Sequence, residues 1–265
     1  MAKIKMVDPD EIVVVEKKVE IDDRFVEIVD LPSRFRLYSP GTKLYGRPLK
    51  VSEIKKLATM DERNANVILK DVLSATIRGL DVNDICTADK IYLIFWLRAY
   101  TYTNDSFSAT YQCTNQKCKS KNSYKFDVTA FEVEYLPEDY EVSEFSLIKK
   151  DKKIVLDFPR IRDEDRIKSF QESLKNAVAT YDEETLVIAS LIKSIDGVKV
   201  NMRQACEFIA SLEDFPEDYA YLYSKSLEMD FGISPELKHT CPKCGEVNSI
   251  PVSFQPSFFI PKFNA

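Results

Sequence analysis

Two cysteine pairs constrain this chain more than any other feature, because their chemistry requires distant segments to meet. The first pair is Cys113-Thr-Asn-Gln-Lys-Cys118 and the second is Cys241-Pro-Lys-Cys244-Gly. Zinc takes four tetrahedral ligands, and a short loop with two thiolates supplies half of that shell. In the second loop, proline starts the turn and Gly245 tolerates a positive φ, which directs backbone amides towards the sulfurs. We therefore predict one structural zinc site formed by Cys113, Cys118, Cys241 and Cys244.

The six cysteines have two other interpretations, as small buried hydrophobes and as disulfide partners. The sequence begins without an apolar signal segment, so we expect a reducing cytoplasm, where paired cysteines indicate metal more often than a crosslink. Cys86 and Cys206 lie singly in helix-like sequence and are expected in the core. The single histidine, His239, precedes Cys241 by two residues. It is either a spare zinc ligand or, the interpretation we prefer, a solvated residue at a strand edge.

More than a hundred residues separate the two pairs, much further than in ordinary zinc ribbons. The entropy of loop closure grows as (3/2)RT ln n, so a loop about sevenfold longer costs about 1.7 kcal/mol extra. Structural zinc contributes about 10 to 16 kcal/mol, which outweighs that cost. If the intervening chain folds into a compact unit with adjacent ends, the cost is smaller still.

Composition limits the remaining classes of function. With 265 residues, 45% hydrophobic and 30% charged, the chain is expected to be globular, with one or two domains. Its net charge of −6 argues against duplex nucleic acid as a partner. Its six glycines form no phosphate-binding pattern, and no segment is long and apolar enough to span a membrane. Because four thiolates close a zinc shell and histidine occurs once, we expect no enzymatic activity.

The order of elements along the chain predicts an α+β fold. In this fold a small β-hairpin zinc-knuckle module is combined with a helical core and an inserted helical bundle. The predicted segments are an N-terminal arm or hairpin at 1–30, a mixed β-hairpin and helical core with the first cysteine pair at 31–157, a helical insertion at 158–232, and the second zinc knuckle with an extended C-terminal tail at 233–265.

Local patterns support these segments. Residues 91–102 are apolar on nearly every side, which predicts a central buried helix. Strands at 107–111 and 124–128 place the first cysteine pair at the tip of a hairpin. Residues 145–156 predict a second hairpin, with a lysine run as its solvated turn. Four helices are predicted within 160–230, with starts at Asp163, Asp182, Asn201 and Pro216.

The end of the chain carries four phenylalanines and three prolines between residues 251 and 263. Proline lacks a backbone donor, so this tail is expected to be extended and not part of a central strand. A terminus this apolar must be buried. Two outcomes stay open, packing on its own domain and docking into a neighbouring subunit.

Several short segments occur in a characteristic order along the chain. They are Leu31-Pro-Ser33, Tyr45-Gly-Arg-Pro-Leu-Lys-Val-Ser-Glu53, Gly79-Leu-Asp-Val82, Ala88-Asp-Lys-Ile-Tyr-Leu93, Trp96-Leu-Arg-Ala-Tyr100, the paired cysteines and Phe258-Phe-Ile-Pro261. In this order they resemble the baseplate hub assembly proteins of T-even-like contractile-tailed bacteriophages. The resemblance implies a structural virion or assembly role, with protein partners and no catalysis. The chain departs from the family in its acidic N-terminal arm and in the four residues between Cys113 and Cys118, where two are usual.

The leading hypothesis is a non-enzymatic structural or assembly protein of a phage tail baseplate hub. The zinc site would pin two β-loops, and extended termini would contact neighbouring subunits. The expected partners are other phage tail and baseplate proteins, with self-association left open, and the expected location is the virion after assembly in the host cytoplasm.

The alternative hypothesis is a zinc-knuckle module that binds nucleic acid. It depends on basic residues interleaved with aromatic ones near the first cysteine pair, namely Lys117, Lys119, Lys121, Lys125, Tyr111, Tyr124 and Phe126. The patch is small and the surrounding chain is acidic, which makes nucleic acid the less expected partner.

Overall fold

Helices and small antiparallel sheets make up the described part of the chain, in agreement with the α+β class. The structure is a computed structural model that describes residues 24–61, 63–102, 106–127, 131–174, 181–229, 231–234, 236–252, 254 and 256–260. None of the helices in these ranges is both long and apolar enough to cross a membrane. Residues 1–23, most of the predicted N-terminal arm, lie outside the described residues.

The described residues between 24 and 102 form three short strands and three α-helices. The strands are β1 at Val26–Ile28, β2 at Leu44–Gly46 and β3 at Ile77–Arg78, and the helices are α1 at Val51–Leu57, α2 at Ala65–Thr76 and α3 at Thr87–Thr101. The strands form one antiparallel sheet in the order β1-β2-β3. The strand predicted around Val26 and Ile28 is therefore confirmed, and its partner is β2.

Helix α3 lies at the centre of a first hydrophobic core, as its apolar sequence predicts. Leu93, Ile94 and Leu97 on this helix are almost inaccessible to solvent. The Trp96 ring lies so near Gly46 that a Cβ added to the glycine would come within 2.6 Å of the ring. Glycine in β2 therefore lets the sheet pack closely on the helix.

The predicted hairpin around the first cysteine pair is present. It consists of β4 at Ser106–Gln112 and β5 at Lys121–Asp127, and a two-residue strand, β6 at Val133–Glu134, follows it.

A second hydrophobic core combines a sheet with four helices. The strands are β7 at Glu144–Ser146, β8 at Lys153–Leu156, β9 at Ile192–Ile195 and β10 at Val198–Lys199, and the helices are α4 at Ile161–Leu174, α5 at Glu183–Leu191, α6 at Met202–Ala210 and α7 at Pro216–Leu227. The sheet order is β10-β9-β8-β7.

The segment predicted as a helical insertion therefore also contains a β-hairpin. The sheet pairs β8 with β9 and so crosses the predicted boundary between residues 157 and 158. Asp196 and Gly197 both have positive φ, at 51° and 76°, which is the conformation of a two-residue hairpin turn. An Asp-Gly pair is a strong hairpin signal, and it is the local feature that marks this hairpin in the sequence.

The predicted helix starts are close to those observed. Asp182 and Asn201 are the N-cap residues immediately before α5 and α6, and Pro216 is the first residue of α7, where it fixes the first dihedral angle. Helix α4 begins earlier than predicted, at Ile161, and Asp163 lies within its first turn. A carboxylate at this position still stabilises the helix, because it interacts favourably with the positive N-terminal end of the helix macrodipole.

The lysine-rich turn of the β7–β8 hairpin is held from the helical side. The backbone N–H groups of Lys149 and Lys150 donate to the two carboxylate oxygens of Asp218, at 2.8 and 2.9 Å. Asp218 is fully buried. Burial raises the pKa of this carboxyl, but the backbone N–H donors outweigh it and leave the pKa below its usual value. The prediction of a solvated turn thus applies to the exposed side chain of Lys149, whereas the half-buried Lys150 donates to the Ser211 carbonyl at 2.7 Å.

The chain segment that forms most of the second core begins and ends at two neighbouring strands. A short strand, β11 at Gly232–Ile233, pairs antiparallel with β6 and places Gly232 opposite Glu134. The chain leaves the first unit after β6 and returns at β11. Adjacent ends are the condition under which distant cysteine pairs meet at a small cost in entropy.

The last elements return the chain to the first core. They are the hairpin of β12 at Glu236–Thr240 with β13 at Val247–Pro251, and a one-turn helix, α8 at Pro256–Phe259. Phe258 and Phe259 are 3% and 2% exposed, and the Phe258 ring lies 5.3 Å from that of Phe95. The Tyr102 hydroxyl donates to the Phe259 carbonyl at 2.8 Å. Residues 256–259 thus form a helix where extended chain was predicted, and they pack on their own domain.

Candidate metal centre

The first cysteine loop is a compact turn at the tip of the β4–β5 hairpin. Cys113 N–H donates to the Ser120 carbonyl at 2.9 Å, which closes the loop. Inside it, Cys118 N–H donates to the Asn115 carbonyl at 2.9 Å, and Asn115 Oδ1 accepts a bond from the N–H of Lys117 at 3.0 Å. The four intervening residues therefore fold back on themselves, and the wider spacing still brings both sulfurs together.

The second loop connects β12 to β13 and has the geometry its sequence predicts. Cys241 N–H donates to the Glu246 carbonyl at 2.7 Å, and Gly245 N–H donates to the Cys241 carbonyl at 2.9 Å. Gly245 has a φ of +77°, in the left-handed region that favours glycine.

All four predicted ligands meet in one place. Their sulfur atoms lie within 4.8 Å of one another, with 3.6 Å between Cys113 and Cys244 and 3.9 Å between Cys118 and Cys241. Zinc–sulfur bonds of about 2.3 Å in a tetrahedron place the sulfurs about 3.8 Å apart, so these thiols fit a zinc ion. A disulfide would require about 2.0 Å, and all four cysteines are free thiols.

The surroundings of these thiols differ from those of the two cysteines outside the cluster. The Ser120 side chain, together with backbone N–H groups, lowers the pKa of Cys241 to about 5, and Ser120 also lowers that of Cys118. Burial raises the pKa of Cys86 to about 12 and that of Cys206 to about 11. Because the thiolate is the metal ligand, the lowered pKa values favour metal binding at Cys118 and Cys241 over Cys86 and Cys206. Cys86 and Cys206 are buried in the second core, as predicted.

The four thiols are not equivalent. Cys113 and Cys241 are buried, Cys118 is half-buried and Cys244 is exposed. The N–H of Glu246 lowers the pKa of Cys244, but desolvation and hydrogen bonds to the other thiols raise it to about 12. Without a cation between them, neighbouring thiolates repel each other, so one thiolate forms at the expense of another. A bound divalent cation would remove this competition.

Polar contacts join the two hairpins beside the sulfur cluster. Asn248 on β13 is 1% exposed, and its Oδ1 accepts bonds from the backbone N–H and the hydroxyl of Thr114, at 2.8 and 3.1 Å. Its Nδ2 donates to the Glu246 carbonyl at 2.9 Å. One buried amide thus connects both cysteine loops.

His239 serves as a contact between the hairpins. Its Nδ1 lies 2.7 Å from the Tyr111 hydroxyl, and its ring lies 3.9 Å from the Tyr124 ring. The potential metal cluster consists of the cysteines without this histidine. The preferred interpretation, a solvated strand-edge residue, is incomplete, because the half-buried ring packs against both tyrosines.

A family model described as T4 bacteriophage base plate protein matches residues 32–260. The chain belongs to this family. The match covers all four clustered cysteines and most residues of both hydrophobic cores, and it confirms the resemblance seen in the sequence. Comparison with curated proteins and with solved structures gives no match. Membership makes this base plate protein a structural component of a phage, located in the tail of the virion.

Sequence reasoning named the cysteines of this base plate protein and missed their polar neighbours Ser120, Asn122 and Asn248. A signal for two of them was present. Residues 120 and 122 are two apart at the start of β5, so they share one face of the strand. The pairing of Asn248 with Thr114 joins residues 134 positions apart, and no local pattern indicates it.

Proposed function

We propose that this base plate protein is a non-enzymatic structural and assembly subunit of the baseplate hub. A structural zinc ion held by Cys113, Cys118, Cys241 and Cys244 pins the β4–β5 hairpin to the β12–β13 hairpin. The family match supports the location in the baseplate. The convergence of four thiols within 4.8 Å carries the metal assignment.

The donor set supports a structural ion over a catalytic one. Four thiolates fill a tetrahedral shell, whereas catalytic zinc keeps a position for water or substrate. Bound zinc would join the end of the first unit to the hairpin that leads into α8. We therefore expect the metal to stabilise the first core, which contains residues from both ends of the matched segment.

Metal content tests the zinc assignment. We expect purified protein to carry one zinc per chain by elemental mass spectrometry and the Cys241→Ser variant to carry none. Cys206→Ala is the matched control, because it removes a buried cysteine of the second core. Wild-type protein without bound metal, after purification in zinc-containing medium, would remove the site.

The hub assignment needs a test in the particle. Phage that lack this chain are expected to yield no complete baseplates, and a plasmid-encoded copy should restore them. A tag on the restored copy should appear near the central axis of the baseplate in electron micrographs. A peripheral position would contradict the hub role and leave baseplate membership intact.

The role of the C-terminal tail in binding neighbours is narrower than the sequence indicates. Phe258 and Phe259 fill the first core, so truncation before them disrupts folding as well as assembly. We propose that residues 261–265 make contacts with other tail proteins or with a second copy. Deletion of 261–265 should weaken incorporation into baseplates, the melting temperature of the variant checks its folding, and sedimentation velocity checks self-association. Normal incorporation would exclude this segment.

The nucleic-acid alternative is less favoured by the site. Lys117, Lys119, Lys121 and Lys125 are exposed, as that hypothesis requires. Tyr111 and Tyr124, however, are engaged with His239 and are not free platforms for base stacking. A mobility shift with single-stranded DNA or RNA that weakens with salt would favour this alternative, and we expect none at low salt.

A further inference from the structure

Two polar side chains lie between the cysteine loops, and both contact the sulfur of Cys241 in the opposite hairpin. The Ser120 hydroxyl oxygen is 3.3 Å from Cys118 Sγ in its own hairpin and 3.3 Å from Cys241 Sγ in the opposite hairpin. Asn122 Nδ2 is 3.5 Å from Cys241 Sγ. Both side chains therefore reach the ligand that belongs to the distant loop.

Strand geometry explains why these two residues face the metal site. Residues 120 and 122 are half-buried, whereas Lys121 and Ser123 between and beyond them are exposed. This alternation places Ser120 and Asn122 on the face of β5 turned towards the second hairpin. Ser123 has the same chemistry as Ser120 on the opposite face, so the chain supplies a matched control.

Their hydrogen bonds form a directed pair. Asn122 Nδ2 donates to the Ser120 hydroxyl oxygen at 3.1 Å. The hydroxyl oxygen accepts this bond, and its single proton is within reach of Cys118 Sγ and Cys241 Sγ at 3.3 Å and of Asn122 Oδ1 at 3.5 Å. The same amide nitrogen also lies within hydrogen-bond distance of the Ser120 carbonyl, at 3.3 Å, and of Cys241 Sγ. Thiolates accept such bonds, and charge-assisted bonds are stronger than neutral ones.

We propose that Ser120 and Asn122 are positioning residues of the metal centre, which hold Cys241 against Cys118 and donate hydrogen bonds to the metal-bound thiolates. This inference rests on the metal site proposed above. The pair acts through the ligands and does not itself bind metal. Loss of such an outer partner typically weakens metal affinity by about 10- to 100-fold.

The test measures zinc affinity by competition with a chromophoric chelator on the full chain. Ser120→Ala and Asn122→Ala are each expected to bind zinc about 10- to 100-fold more weakly than wild type. Ser123→Ala should match wild type. Ser120→Thr keeps the hydroxyl and should recover most of the affinity. Because the amide orients the hydroxyl, Asn122→Ala should have a smaller effect in the Ser120→Ala background than alone.

Cobalt spectroscopy separates positioning from a general loss of structure. Cobalt-loaded Ser120→Ala is expected to show a shifted thiolate-to-metal charge-transfer band, since sulfur loses a hydrogen bond, while cobalt-loaded Ser123→Ala shows the wild-type band. Equal zinc affinities and an unshifted band in all variants would overturn the positioning role and leave the metal site standing. Failure of the wild-type chain to bind either metal would overturn the metal site itself.

Discussion

The Tyr38 hydroxyl donates a 2.6 Å hydrogen bond to the buried Oδ2 of Asp89. The same hydroxyl accepts the backbone N–H of Cys86 at 3.0 Å, and Asp89 Oδ1 accepts the N–H of Ser33 at 2.9 Å. These bonds join the turn after β1 to the start of α3. Residues 33 and 89 both belong to segments that carry the family resemblance. Their hydrogen bond gives a structural reason why both segments occur in this chain.

Tyr38→Phe is expected to destabilise the protein by about 1–3 kcal/mol, because it leaves a buried N–H and a buried carboxylate oxygen without partners. Burial raises the pKa of Asp89 above its ordinary 3.8, while the bonds from Ser33 and Tyr38 oppose that rise. Removal of the Tyr38 bond raises the pKa further.

A folded pKa above the unfolded value means that the folded state binds more protons, so stability falls as pH rises through the window between the two values. The deficit of Tyr38→Phe relative to wild type should therefore be larger at pH 8 than near pH 4. Urea unfolding at both pH values measures it. Tyr100→Phe, at an exposed tyrosine, should differ little from wild type, and a deficit independent of pH would contradict the assigned role of Asp89.

Arg47→Lys should destabilise the first unit although it keeps the charge. The guanidinium donates to both carboxylate oxygens of Glu53, at 2.9 and 2.6 Å, and to the Ala75 carbonyl at 2.9 Å. An ammonium group cannot reproduce this planar fork. Arg47→Ala should cost about 3–5 kcal/mol, because it leaves a largely buried carboxylate unpaired, and Arg47→Lys should cost less.

Chemical denaturation measures both Arg47 variants. The exposed Arg34–Glu138 pair is the comparison, and Arg34→Lys should change stability by at most about 1 kcal/mol. Equal effects of the two lysine substitutions would contradict the importance of the fork.

Cys244→Ser and Cys241→Ser should differ in metal retention. Cys241 is buried and hydrogen-bonded by Ser120, whereas Cys244 is exposed. In Cys244→Ser, water can reach the fourth position, so we expect weakened but measurable zinc binding with three thiolates. Cys241→Ser should bind none. A zinc titration of the cobalt-loaded variants, monitored by cobalt absorption, measures the difference. An equal loss of zinc binding in both variants would show that the two ligands are equivalent.

Phe258→Ala should cost about 3–5 kcal/mol, the usual range for a buried phenylalanine. Its ring lies in the first core, 5.3 Å from the Phe95 ring and 5.2 Å from the Phe254 ring. Thermal unfolding of zinc-loaded protein measures this loss. Val67→Ala on the exposed side of α2 is the control and should be nearly neutral. A neutral Phe258→Ala would mean that the tail is not part of the core.

Sequence patterns predicted most elements where a local signal exists. Helix α3 follows from an apolar run, the starts of α5, α6 and α7 follow from their capping residues, and the hairpin of the first cysteine pair follows from the strands that flank it. The β9–β10 hairpin was missed although Asp196-Gly197 marks its turn, because the flanking helical patterns dominated. The helix at 256–259 was missed because proline favours a helix start as well as extended chain.

The sequence by itself determined which four cysteines form the cluster and which family the chain belongs to, since cysteine spacing and ordered motifs are local properties of the chain. The tertiary structure alone decided which polar groups surround the sulfurs, where the terminal phenylalanines pack and how the second core closes on itself. Those features depend on pairs such as Gly232 with Glu134 or Thr114 with Asn248, which lie far apart in sequence. Their contacts form only once the folded chain brings the two partners together, and no local periodicity encodes that pairing.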